Sequence, residues 1–169
     1  GPETGHPRPS YAHYSKQEIK VLADAVRKSR PTMHRGGWEW DRLLTRYIDS
    51  HRKDQNELII LHAYFLSMLD RYDEARAKDE PFTIFYNHRS WGSGGRMRIF
   101  AELVRQKAIT ESEQATFKSL VTNSLKIDFP DYSQLELGVN NRPYGINGGP
   151  AIAVKLFPDH PNAIRHRPW

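Results

Sequence analysis

QNELIILHAYFLSMLDRYDEARA, residues 55–77, is the longest unbroken helical text in the chain. Over its first half, apolar residues cover most of a helical circumference, where a surface helix would keep them to one stripe. The pattern predicts a helix from about Gln55 to Ala77, sandwiched between neighbours at first and then charged (DRYDEARAKDE). The most apolar stretch, Leu58 to Leu69, is interrupted by His62. It also falls short of the roughly 20 residues that a membrane helix needs. It reads as a buried helix.

Toward the N-terminus, Ser15 and Glu18 make a capping box, and Ile19, Leu22, Ala23 and Val26 form one apolar face behind it. Pro31 closes that helix. A second helix is expected from Glu39 to about Ser50, with Leu43, Leu44, Tyr47 and Ile48 inward. On the other side, Pro81 breaks the chain and FTIFY makes a short extended approach. Helix four is expected from about Gly94 to Lys107, with Met97, Phe100, Ala101 and Val104 on its inner face. Thr110 and Glu113 form a second capping box, opening helix five through about Ile127. Pro150 suits the first turn of a sixth helix, filled by Ile152 to Phe157. No alternating strand pattern of useful length occurs. The fold class expected is all-α, built of stacked antiparallel helical hairpins. Residues 1–10 read as a flexible lead-in that opens with a Gly1-Pro2 tag-cleavage scar, and 11–169 as a single helical domain.

A chain of 169 residues suffices for one sizeable core. It has no cysteine, which excludes disulfides, thiolate metal sites and cysteine nucleophiles. Lys and Arg total 25 against 20 acids, a net charge of +5 that favours anionic partners. HExxH and CxxC are absent, so no metal or other cofactor is expected. GSGG lacks the Lys-Ser/Thr of a phosphate loop, and GxSxG does not occur.

Two stretches repeat. NHRSWGSGG (87–95) and NNRPYGINGG (140–149) share Asn87/Asn140, Arg89/Arg142, Gly92/Gly145 and Gly95/Gly148, with Trp91 over Tyr144. The match continues into the following helices, Ile99 over Ile152 and Leu103 over Leu156. A period of roughly 50 residues that ends in a helix marks stacked helical hairpins. It puts both loops at the same end of successive hairpins, on one rim. Aromatic faces stack on sugars or bases, Arg offers a planar fork to carboxylate or phosphate, and Asn donates and accepts without charge. Together they describe a groove for an anionic, ring-containing polymer: acidic polysaccharide or single-stranded nucleic acid.

NNRPYG resembles the Asn-Asn-His-x-Tyr motif of alginate lyases with an α/α-toroid fold. GINGGPAIAVKLFPDHPNAIRHRPW is similar to a toroid hairpin of the broader alginate, heparinase and glucuronan lyase group, and AITESEQATFKSLVTNSL to the hairpin before such a loop. The resemblance implies part of an (α/α) toroid, the N-terminal portion of a larger one. It implies a secreted or periplasmic polysaccharide lyase that cleaves a uronate polymer by β-elimination, with the rest of the toroid as a further partner and no membrane. Carried over by position, Asn141 neutralises the substrate carboxylate, Asn140 supports it or binds sugar, and Tyr144 lines the subsite. Where the motif has His this chain has Arg142, a poor proton acceptor, here recast as a carboxylate binder. His88 is the local candidate for proton transfer. Asn87, Arg89 and Trp91 complete the substrate-binding set.

Each of these residues has a plainer use. Asn in a Gly/Pro-rich turn satisfies local backbone. Trp91 and Tyr144 could plug the space between hairpins, and Arg89 and Arg142 could cap helix carbonyls. A nucleic-acid-binding helical module would use the same Arg and aromatic residues, but the mixed signs of DRYDEARAKDE argue against an extended basic face. A non-catalytic helical-hairpin interaction protein would use the loops as binding turns.

Overall fold

The computed structural model of the protein describes residues 11–29, 42–84 and 93–128. Among them are five helices and no strand: α1 (Lys16–Ser29), α2 (42–49), α3 (Gln55–Ala77), α4 (Ser93–Arg105) and α5 (Glu111–Asp128). The all-α expectation holds, and α3 has the limits expected of it. The expected sixth helix lies outside the described residues.

α3 is the axis of the fold. Leu58, Ile60, Leu61, Phe65, Met68, Leu69 and Tyr72 are buried around it, and α1, α4 and α5 all pack against it. Phe65, Phe100 and Phe117 join α3, α4 and α5, with ring centroids 4.4–6.1 Å apart. One cluster of buried side chains draws members from all five helices. Apolar residues circle α3 because neighbours stand on several sides of it, and burial of each large side chain stabilises by roughly 1.5–3 kcal/mol.

Pairs of contacting residues give the helix directions. Asn56 donates to the carbonyls of Tyr11 and Tyr14 at the start of α1, and Arg27 pairs with Asp70 further along both helices. Thus α1 and α3 run parallel. His62 meets Glu113 and Tyr72 meets Ser119, so α3 and α5 run parallel too. Short connectors, 50–54 and 106–110, turn α2 into α3 and α4 into α5, and α2 and α4 therefore run the other way. Among the described residues, successive helices thus alternate in direction, and α1, α4 and α5 pack against α3.

Helix starts and stops have distinct origins. Both expected capping boxes form. The Ser15 hydroxyl accepts from the Glu18 N–H while Glu18 accepts from the Ser15 N–H, and Thr110 and Glu113 do the same. The stops of α2, α3 and α4 are Schellman motifs. Arg52 N–H bonds the Tyr47 carbonyl, Glu80 the Ala75 carbonyl and Ala108 the Leu103 carbonyl. The residue before each of these donors, His51, Asp79 or Lys107, sits at a φ of 53–56°. None is the glycine that such a position favours.

Two inward assignments are wrong. Ile48 is 40% exposed and Val104 38% exposed. On α2 the buried side chains are Leu43, Leu44 and Tyr47; on α4 they include Arg96, Met97, Ile99, Phe100, Glu102 and Leu103. The buried stripe of α4 takes in two charged residues, Arg96 and Glu102, and excludes an apolar one. Ile99 and Leu103, the inward positions that the repeat marks, are fully buried as expected.

Candidate functional site

The eight residues nominated from the repeat and the resemblance are Asn87, His88, Arg89, Trp91, Asn140, Asn141, Arg142 and Tyr144. All lie outside the described residues. The structure describes the frame from which these segments depart.

That frame has two unlike ends. At one, α2 turns into α3 and α4 into α5 through short connectors. At the other, α1, α3 and α5 finish and α2 and α4 begin. The chain leaves toward the first repeat segment after Ile84, a fully buried residue whose N–H donates to Ser124 Oγ at 3.2 Å. Ser124 is itself buried on α5 and donates to the Leu120 carbonyl at 2.6 Å. One turn beyond Ser124, α5 ends at Asp128 and the chain departs toward the second repeat segment. Both departures therefore start from the same end of the helix stack. The chain returns from the first at α4, where Arg96 is 1% exposed and Met97 is fully buried.

Sequence reasoning missed the buried charges. Glu57 is 1% exposed, at the third position of α3. Asp54 and Glu57 have the spacing of a third capping box, and Asp54 does cap the Glu57 N–H. Glu57 does not reciprocate. Its Oε1 lies 3.0 Å from Arg46 Nε on α2, and Ser50 Oγ takes the Asp54 N–H instead. Burial pushes the Glu57 carboxyl up to about 7, with Arg46 pulling it down and Asp54 pushing it further up. Glu102 on α4 is buried as well and accepts from Arg52 Nε at 2.8 Å and from Gln106 at 3.1 Å. These ion pairs belong to the short-connector end, away from the departures toward the repeat segments. They join α2 and its connector to the neighbouring helices. The signal that could have found Glu57 is the D-x-x-E spacing followed directly by an apolar run, with an Arg one turn before the end of the preceding helix.

A groove of about 490 Å³ runs along α1 and α3, floored by Ile19, Ala23, Ile59, Ala63 and Leu66. His62 lines it and donates to Glu113 at 3.0 Å. Glu113 Oε1 also accepts the Thr110 N–H, so one carboxylate oxygen serves the start of α5 and a side chain of α3.

Among the described residues no group of three potential ligands could hold a metal ion, and no helix is long and apolar enough to cross a membrane. Comparison with models of known protein families, with curated proteins and with solved structures finds no match.

Proposed function

We propose that the chain is part of a polysaccharide lyase that cleaves a uronate-containing polymer of the glucuronan or alginate type, its helices forming part of an α/α toroid. Support comes from the doubled Asn-x-Arg-x-aromatic-Gly pattern, the NNRPYG resemblance and the net charge of +5. The observation that carries the reading is the Ile84–Ser124 bond. The chain sets out toward Asn87 and, one turn later in α5, toward Asn140 from a single end of the stack. Loops that start together can close on one strand of polymer; loops at opposite ends could not. The alternating directions of α1 to α5 are those a toroid needs.

In this mechanism the Asn141 amide donates to the C5 carboxylate and stabilises the enolate-like state that develops as the C5 proton leaves. His88 takes that proton. The electron pair forms the C4–C5 double bond, the C4–O bond breaks, and the leaving glycosidic oxygen takes up a proton. Arg89 and Arg142 hold carboxylates along the chain, while Trp91 and Tyr144 stack on sugar rings.

The test is a full-length protein incubated with glucuronan, alginate and other polyuronates, followed by the ultraviolet absorbance of the unsaturated product. Activity on one of them is expected, and Asn141→Ala should lower kcat about 10²–10³-fold, the cost of a lost oxyanion donor. No new absorbance on any polyuronate would remove the catalytic reading.

A further inference from the structure

We infer that the groove between α1 and α3 is a docking site for an amphipathic helix that carries acidic residues along the edge facing α1. The groove lies on the helix faces, independent of the repeat segments, and the inference does not rest on the lyase reading.

The floor has the right shape. Ile59, Ala63 and Leu66 fall at i, i+4 and i+7 along α3, beside Ile19 and Ala23 at i and i+4 along the parallel α1. Two parallel ridges leave a furrow for a third helix. Ala63 and Ala23 are small, which lets a backbone approach closely. The floor spans roughly 10 Å of α3, about two helical turns. Ile59 is 39% exposed on it, and α1 buries only Ile19 fully.

Charge selects the occupant. Lys16 and Lys20 stand one turn apart on the α1 side, exposed, and neither has a partner among the described residues. Arg27 continues that edge, paired with Asp70, while Asp24 is the acid among them. On the α3 side Gln55 and Asn56 are neutral, and His62 is held by Glu113. An acidic flank is therefore matched on one edge and met by neutral amides on the other. The floor is aliphatic, and among the described residues no Phe, Tyr or Trp lines the groove to give the flat platform that a sugar polymer would use.

Two synthetic peptides of about 14 residues test this, both with Leu and Ala at helical a/d spacing, one flanked by Glu and one by Lys. Fluorescence anisotropy on the whole chain should show the Glu-flanked peptide binding more tightly. Reversing the two free charges, K16E with K20E, should weaken that peptide roughly tenfold and tighten the Lys-flanked one by a similar factor. Ala63→Trp, which fills the furrow, should abolish both. Should that variant unfold by circular dichroism, the exposed charge reversal decides alone. Equal binding of both peptides before and after the reversal overturns the inference. So does displacement of the Glu-flanked peptide by alginate oligosaccharide, which would assign the groove to sugar.

Discussion

Thr110 with Glu113 and Asp54 with Glu57 are written to one rule, an N-cap residue followed three positions later by glutamate, yet they do different work. At α5 the glutamate turns back and closes the box. At α3 it turns inward to Arg46 and leaves the returning bond to Ser50. The difference is in the neighbours. The α5 box faces solvent, where a carboxylate loses little by reaching its own backbone. The first turn of α3 is covered by α2, and a carboxylate enclosed there needs a cation more than it needs a second amide. Local spacing names a cap; packing decides whether the glutamate keeps to it.

The largest effect should come from Glu57 itself. Its folded value of about 7 stands above the ordinary 4.5. The folded state therefore holds a proton that the unfolded state releases. That contribution is fully present below about pH 4.5 and is lost as pH rises through about 7, an effect on the order of 3 kcal/mol. Urea titrations from pH 4 to 8 should show the decline, and Glu57→Gln should flatten it. An unchanged slope in that variant would put the pH dependence elsewhere.

Next comes its partner. Arg46→Met should cost about 2 kcal/mol at pH 8, where Glu57 is left ionised and enclosed, and less than about 1 kcal/mol at pH 5, where it is neutral. Equal costs at both pH values would mean that Arg46 acts through packing alone.

At the capping boxes of α1 and α5 the effects shrink. Thr110→Ala and Ser15→Ala should each cost about 1 kcal/mol in thermal or urea unfolding. The smallest expected change is a gain. Lys107 is exposed and holds a left-handed φ of 53° that a side chain disfavours. Lys107→Gly should stabilise by roughly 0.5 kcal/mol, the relief of strain less the entropy that glycine loses on folding.

Much of the frame was legible in the chain. The limits of α3 followed from its apolar periodicity, and the starts of α1 and α5 from capping boxes, because both signals are local. The helix stops were less so: no glycine or asparagine marks His51, Asp79 or Lys107, and the backbone takes the left-handed turn regardless. Ile48 and Val104 were assigned inward because residue type says nothing of how wide a stripe the neighbours cover. Arg96, Glu57 and Glu102 went unnoticed as buried residues for the converse reason, that charge alone reads as surface. For the candidate site the sequence carries the whole of the reading. Asn87 to Trp91 and Asn140 to Tyr144 lie outside the described residues, and the frame contributes the common end from which the chain sets out toward them.

Glu113 bears on how the molecule comes apart. Its one oxygen is shared by the first turn of α5 and by His62 in the middle of α3. The first turn of a helix is ordinarily the earliest to fray, opening alone at little expense. Here unwinding that turn also releases a neighbour's side chain, so the two events are tied. Amide exchange at the head of α5 should therefore track opening of the α3–α5 seam as one step, with slower exchange than at the head of α1, whose Glu18 bonds Ser15 at its own cap.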